Sequence, residues 1–334
     1  MRRSYAVFIL AMLALALGCG STKPGPGTNN SGGQLYVSTP SAILRFNNAL
    51  TATGNVAPIA IVTGGTTTLS SPQHMLVDTT ANRLFVANQG GSSVLIFDSA
   101  STMAGNIAPN RTVNGPATTL AAPIDVALDN ANNLLYVADG TSILVFAGAS
   151  TISGNTPPVR SISMGFAVTG ILVNATSNQM FVANSAGEAI VRLDGASSQN
   201  GAAVVAATIT GVNTGLAHPR GLALDGSGRL VASNSAVPTS LTIYANAATA
   251  NGNATPAANI TGAATLLQSP GQVAFNGSVA TGELYVVDSL AGSILVFTNE
   301  STATGNVAPP RSITGPVTTL VANAVNGLAF DATH

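Results

Sequence analysis

The chain repeats an apolar three-residue segment of the Leu-Tyr-Val type at intervals of about fifty residues. The six copies begin at residues 35, 84, 135, 180, 230 and 284, so successive copies start 49, 51, 45, 50 and 54 residues apart by subtraction. Each segment has the length and composition of a short buried strand. Repeats of this period are typical of propellers built from four-stranded blades.

Each copy is followed by the same series of features. A turn residue comes first, which is Asn or Asp in five copies and Thr39 in the first copy; a second apolar segment follows, and then a loop with Gly-Asn and Pro. The loop occupies residues 54–58, 105–109, 154–158, 252–256 and 305–309, and only the fourth copy, at 200–202, departs from it. An outer strand comes next and carries Arg111, Arg160 and Arg311 in three copies. A charge on an outer edge discourages pairing with another chain, and we expect this role for the three arginines.

The strand count predicts how the ring closes. The chain begins its repeats with a second strand at Leu35 and ends with a first strand at residues 328–330. We therefore predict an all-β, six-bladed β-propeller over residues 34–334, with four antiparallel strands in each blade. The C-terminal strand is expected to pair with the three N-terminal strands, because this arrangement leaves only short protected edges.

The N-terminus has the pattern of an export signal. Arg2 and Arg3 precede an apolar stretch at residues 5–17, and residues 15–19, Leu-Ala-Leu-Gly-Cys, resemble a bacterial lipobox. We interpret residues 1–18 as a lipoprotein-type signal peptide and Cys19, the only cysteine, as the lipidation site. The alternative is an ordinary signal peptide with an incidental cysteine. Residues 19–33 are rich in Gly, Ser, Asn and Pro, which is typical of a flexible tether.

Composition narrows the possible partners. Only 7% of residues are charged, the formal net charge is -1, and Lys23 is the only lysine. Without a basic surface, nucleic-acid binding is disfavoured. After residue 18 no apolar run reaches the roughly 18 residues that cross a bilayer. We expect a monomer attached to the bacterial cell envelope through its lipid anchor alone, on the outer membrane, at its periplasmic face or at the cell surface.

Two segments resemble a known repeat family. Residues 219–225, Pro-Arg-Gly-Leu-Ala-Leu-Asp, and residues 135–139 followed by 143–146 resemble the NHL repeat and, more broadly, the six-bladed propellers of the SMP-30/gluconolactonase group. The resemblance implies a divalent metal at the channel mouth, held by Glu together with Asn and Asp, some at the x of Pro-x-Gly. Only Asn326 matches that set; the other x positions hold Gln73, Ile124, Thr169, Arg220 and Gly271. Hard cations are bound by about six to eight oxygen ligands, which these positions do not supply, so we expect no bound metal. We also expect no cofactor.

The first residues of the innermost strands are the candidate ligand-binding positions, because they surround the channel mouth. We select Gln73, His74, Asp125, Thr169, Arg220, Gln272 and Asn326. His74 and Asp125 occupy corresponding positions in successive blades, where a polar pair could form. We favour the simpler interpretation that they satisfy polar groups and water in a wet channel.

No catalytic residue is predicted, because the sequence has no HExxH, CxxC, GxSxG or P-loop motif. The leading hypothesis is a non-catalytic envelope protein that binds a protein, glycan or small ligand, or serves as a scaffold, through its channel mouth and loops. The alternative is a metal-dependent hydrolase, lactonase or lyase of the SMP-30/gluconolactonase type. A purely structural surface module is a third possibility.

Overall fold

The computed structural model describes residues 32–276, 282–298 and 303–334. Its strands form six sheets, one for each predicted blade. We number the blades 1 to 6 in chain order and name the strands of each blade innermost, second, third and outer, from the channel outward. The predicted signal peptide and Cys19 lie outside the described residues, as does the tether up to residue 31. No helix within the described ranges is long and apolar enough to cross a bilayer.

Blade 1 joins the two ends of the chain. Its four strands, from innermost to outer, are Gly327–Asp331, Gln34–Thr39, Ala42–Asn47 and Ala60–Thr63. The innermost strand pairs antiparallel with the second, from Gln34 opposite Asp331 to Ser38 opposite Gly327. All five residues of this C-terminal strand are buried. The predicted closure of the ring is confirmed.

The other blades each come from one continuous stretch of chain. In the same order their strands are Pro72–Asp78, Arg83–Asn88, Ser93–Asp98 and Arg111–Val113 in blade 2; Pro123–Asp129, Leu134–Asp139, Ser142–Ala147 and Arg160–Ser163 in blade 3; Gly170–Asn174, Gln179–Asn184, Ala189–Asp194 and Val205–Ile209 in blade 4; Pro219–Leu224, Leu230–Asn234, Ser240–Tyr244 and Ala258–Thr261 in blade 5; Pro270–Phe275, Glu283–Asp288, Ser293–Thr298 and Arg311–Ile313 in blade 6.

Within the described ranges, seven short 3-10 helices connect these strands. They are Gly65–Thr67, Gln89–Gly91, Ala100–Thr102, Pro116–Thr118, Ala196–Ser198, Ala263–Thr265 and Pro316–Thr318.

The hydrophobic core lies between the blades rather than within them. One cluster of buried side chains occupies each of the six seams between neighbouring blades of the described chain. Second and third strands are therefore covered on both faces, which explains why they are apolar without alternation. At the closing seam, Leu35 and Phe46 of blade 1 pack with Tyr285 and Val296 of blade 6.

The Gly-Asn turns join neighbouring blades at the outer rim. In five copies the glycine forms a parallel bridge with the outer strand of the preceding blade, as Gly105 does with Val62. The following asparagine then accepts a backbone hydrogen bond from the short 3-10 turn of that blade, as Asn106 does from Thr66 at 2.9 Å. We call this contact the Gly-Asn staple.

The fourth copy replaces the staple with a short strand. Gly201–Ala202 pairs in parallel with Ile162 and Ser163, so the sheet of blade 3 gains a fifth strand. The sequence departure at 200–202 therefore changes the form of the contact between blades 3 and 4 but preserves it.

The rim arginines form a second contact between blades. The third and outer strands place two residues opposite each other, and one of the two is arginine in every blade except blade 5. The six pairs are Arg45 and Ala60, Ile96 and Arg111, Val145 and Arg160, Arg192 and Ala207, Ile243 and Ala258, Val296 and Arg311. An arginine on either the third or the outer strand therefore occupies the same place at the rim of the blade.

Four of these arginines donate to backbone carbonyls of the next blade, and we call this contact the arginine latch. Arg45 reaches Met103 at 2.8 Å, Arg111 reaches Ser150 at 2.9 Å, Arg311 reaches Ala49 at 2.8 Å, and Arg192 reaches Ala248. The expectation that Arg111 and Arg311 protect a free edge is therefore wrong. Their side chains are only 14% exposed, because the guanidinium groups are folded against the neighbouring blade.

Arg160 is the exception among the five. Its Nε and Nη2 atoms are buried and have no hydrogen-bond partner in the described part of the chain. It lies at the seam where the fourth copy has lost the Gly-Asn loop. The arginine is present, but its latch is not formed.

Candidate functional site

The six innermost strands surround a central cavity of about 340 Å³. Each strand contributes three consecutive residues to its wall, and the eighteen residues form three stacked rings. The first ring is Met75, Val126, Ile171, Leu222, Val273 and Leu328; the middle ring is Leu76, Ala127, Leu172, Ala223, Ala274 and Ala329; the last ring is Val77, Leu128, Val173, Leu224, Phe275 and Phe330. Every one of these residues is apolar.

Exposure shows which end of the cavity is open. All six residues of the first ring are buried, while five of the six residues of the last ring are half-buried. The cavity therefore opens where the innermost strands end. The predicted polar mouth, where those strands begin, is the narrow end.

Glycine closes three of the six seams at the narrow end. A Cβ atom built on Gly170 would lie 2.0 Å from the carbonyl oxygen of Arg220, one on Gly221 would lie 2.4 Å from that of Gly271, and one on Gly327 would lie 2.3 Å from that of Gln73. These distances are shorter than any real contact. Glycine at these three positions, which include the glycine of the Pro-x-Gly motif at Gly221, is thus required by the close approach of the next innermost strand.

Polar side chains occupy the equivalent position at the other three seams. They are His74, Asp125 and Gln272. Gln272 of blade 6 bonds the innermost strands of blades 1 and 2. Its Oε1 accepts the N–H of Leu328 in blade 1 at 2.7 Å and that of Met75 in blade 2 at 3.1 Å, and its Nε2 donates to the Met75 carbonyl at 2.8 Å. One neutral amide thus forms hydrogen bonds with backbone N–H and C=O groups on the free edges of two innermost strands.

Asp125 closes the seam between blades 3 and 4. Its Oδ1 accepts the N–H of Val126 and its Oδ2 accepts the N–H of Ile171, both at 2.8 Å. The Nδ1 atom of His74 lies 3.3 Å from Oδ2 but forms no hydrogen bond. His74 and Asp125 are 8% and 5% exposed. The structure thus brings the two side chains together as a buried electrostatic contact.

The remaining candidates do not line the cavity. Gln73 donates to the Gln89 side chain at 3.1 Å, Thr169 donates to the Pro219 carbonyl at 2.9 Å, and Asn326 donates to the Pro72 carbonyl at 2.9 Å. Arg220 is exposed, and its side chain has no hydrogen bond or ion pair to any described residue. Of the seven selected residues, only Asp125 and Gln272 are in the cavity wall.

The apolar rings were missed by the sequence reasoning. Away from Asp125 and Gln272, the polar groups that the innermost strands offer in the described cavity wall are backbone N–H and C=O on their free edges. A signal was available, because the three residues before the terminal Asp or Asn of each innermost strand are apolar in all six copies. Their position on the channel wall follows only from the closed ring.

The polar atoms at the narrow end do not fit the divalent metal implied by the family resemblance. Both oxygens of Asp125 accept backbone N–H groups, and the Gln272 oxygen accepts two. A hard cation needs about six oxygens with free lone pairs. Among the described residues, no three His, Cys, Asp or Glu side chains lie close enough to hold a metal ion.

Comparisons with known proteins support the fold alone. No protein family and no curated protein matches the sequence. A chain of the nidogen/laminin complex is 13% identical with a TM-score of 0.61, covering 90% of this chain and 98% of its own length. A Bacteroides caccae protein of unknown function is 8% identical with a TM-score of 0.61, covering 89% and 98%. A candidate 6-phosphogluconolactonase from Bacteroides fragilis NCTC 9343 is 14% identical with a TM-score of 0.57, covering 92% and 99%.

Proposed function

We propose that the protein is a non-catalytic binding protein of the bacterial cell envelope, and that its central cavity holds a small ligand with a largely apolar body. The three apolar rings carry this proposal. An engineered apolar cavity of about 150 Å³ holds benzene, so a cavity of about 340 Å³ has room for a ligand of about a dozen non-hydrogen atoms.

Among protein, glycan and small-ligand partners, the cavity favours the small ligand. Sugars need several polar side chains to replace their hydration, and Asp125 and Gln272 are the only polar side chains in the described wall. A folded protein is too large for the cavity and would have to bind the outer loops.

The lactonase alternative has less support. The candidate 6-phosphogluconolactonase shares the fold, but likeness at 14% identity carries no activity. Asp125 and Gln272 are the only side chains with ligating oxygens in the described cavity wall, and no three His, Cys, Asp or Glu side chains of the described residues lie together, so this chain lacks the oxygen-rich site that a metal-dependent lactonase of the resembled group would use.

The envelope location is proposed from the N-terminal sequence. An acylated Cys19 followed by a flexible tether of about fifteen residues would keep the propeller near the membrane surface, at a root-mean-square tether length of about 20 Å. Labelled palmitate should be incorporated into the wild-type chain and not into Cys19→Ser. Equal labelling of both chains would contradict the anchor.

Cavity binding can be tested with hexan-1-ol as a neutral probe. Saturation-transfer NMR should detect binding to the purified wild-type chain. Two variants narrow the cavity: Ala274→Phe in the middle ring and Val173→Phe in the last ring. Either variant should weaken binding while retaining the wild-type circular dichroism spectrum, and Ala121→Leu on an exposed loop is the control. If the wild type gives no saturation transfer, or if both folded variants bind as well as it does, the proposed function is wrong.

A further inference from the structure

We propose that the ligand is an aliphatic amine, with its apolar body within the rings and its ammonium group at Asp125. This inference rests on the proposed function, since it assigns a chemical class to the ligand of the same cavity. It starts from the one ionisable side chain in the described cavity wall, which is Asp125.

The charge of Asp125 is not needed to hold the blades together. At the seam between blades 6 and 1, Gln272 captures the N–H of Leu328 with a neutral amide. At the seam between blades 3 and 4, Asp125 captures the N–H of the equivalent residue, Ile171, with a carboxylate. Burying a charge is far more expensive than burying an amide. If the side chain only had to accept the N–H of the next innermost strand, an amide would be favoured at both seams.

The carboxylate also has unused acceptor capacity. An ionised Asp can accept about four hydrogen bonds. Asp125 accepts two from the backbone, and the nearby His74 nitrogen contributes proximity without a hydrogen bond. An ammonium group, which has three donors and one positive charge, complements the lone pairs that remain.

The size of the cavity matches a short chain. The first ring is buried next to Asp125, and the last ring is half-buried at the opening. A six-carbon chain is smaller than the available volume and could extend from the carboxylate toward the opening.

Three probes with the same six-carbon chain test the head group: hexylamine, hexan-1-ol and hexanoate, titrated calorimetrically into the purified chain at one pH and salt concentration. We expect hexylamine to bind about tenfold more tightly than hexan-1-ol, and hexanoate more weakly than either. In Asp125→Asn the amine should lose its advantage while hexan-1-ol still binds. Glu188→Gln, which removes an exposed carboxylate far from the cavity wall, is the matched control and should keep the preference.

The outcomes separate the two proposals. If hexan-1-ol binds and hexylamine binds no better, the amine inference is wrong and the cavity-binding function stands. If no probe binds, the proposed function is wrong. Should Asp125→Asn fail to fold, Asp125→Ser and the ranking of the three probes on the wild-type chain decide the question.

Discussion

The outer rim and the central axis of this propeller join the same six blades in different ways. At the rim, the Gly-Asn staple recurs at five seams and the arginine latch at four, with nearly the same partners each time. At the axis, three seams are closed by glycine and three by His74, Asp125 or Gln272. The contacts that repeat hold the ring together, and those that do not repeat are where this chain can acquire an individual ligand.

The seam between blades 3 and 4 is unusual both at the rim and at the axis. Between blades 3 and 4, the rim has the strand Gly201–Ala202 in place of the staple and an arginine, Arg160, without its latch. The axis of the same seam has Asp125. The only ionisable residue in the described cavity wall thus lies where the rim departs most from the common pattern.

The largest expected effect comes from removing the strand that closes the ring. A chain ending after Val325 lacks Leu328 and Phe330, which pack into the seam between blades 6 and 1. Losing two large core side chains and a whole strand should remove most of the 5–15 kcal/mol typical of a folded domain. Thermal unfolding followed by circular dichroism should show no cooperative transition. A shortened chain that melts like the full-length protein would disprove closure; a chain lacking only His334 is the control.

The second effect tests the crowding at the axis. In Gly170→Ala the new methyl group would overlap the Arg220 carbonyl, so the strands must separate and unfolding should become easier by about 3 kcal/mol. Gly65→Ala is the matched control, because nothing lies within 4 Å of a Cβ built there and its φ is not positive. Equal urea midpoints for the two variants would show that the innermost strands are not tightly packed.

The third effect compares two arginines at the same position of different blades. Arg311 latches blade 6 to blade 1 and also binds Glu283 at 2.5 Å, so Arg311→Met leaves a nearly buried carboxylate unpaired and should cost about 3 kcal/mol. Arg160→Met should be neutral or stabilising, because two buried guanidinium nitrogens have no partner among the described residues. Chemical denaturation of both variants checks this difference. Similar losses at both sites would mean that the latch is not the source of stability.

The smallest effect concerns Tyr136, whose hydroxyl is buried close to the Arg160 guanidinium. Burial, with a smaller contribution from Asp129 and against the opposing effect of Arg160, raises the pKa of Tyr136 to about 12. The unfolded chain ionises this tyrosine near pH 10, so the associated stability is complete below pH 10 and is lost as pH rises toward 12. Tyr136→Phe should reduce the slope of unfolding free energy against pH in that window. An unchanged slope would contradict the raised pKa.

Blade number, strand positions and ring closure could be predicted because they depend on periodic apolar segments, which the sequence displays directly. The same holds for the residues that end the innermost strands: Asp129, for example, accepts the N–H of Asn132 at 3.0 Å, a local turn contact. Local contacts and periodic burial leave a pattern in a single sequence.

The arginine latch and the apolar cavity could not be predicted in the same way. The latch partners are backbone carbonyls about forty or more residues away, and a carbonyl has no residue type to recognise. Arg45 and Arg111 form the same latch from different strands of their blades. This equivalence can be seen only from the pairing register of the strands. The pairing of His74 with Asp125 was accessible because both occupy one repeat position, whereas the second bond of Asp125, to Ile171, crosses to the next blade through the backbone.

The division between a stabilising rim and a ligand-binding axis is tested most directly by measuring melting temperature and hexylamine affinity together for Arg311→Met and Asp125→Asn. The account predicts that Arg311→Met melts well below the wild type and binds hexylamine with unchanged affinity at a temperature where it is folded. It predicts that Asp125→Asn melts much closer to the wild type and binds hexylamine about tenfold more weakly. The opposite pattern, with affinity lost at Arg311 and retained at Asp125, would contradict it.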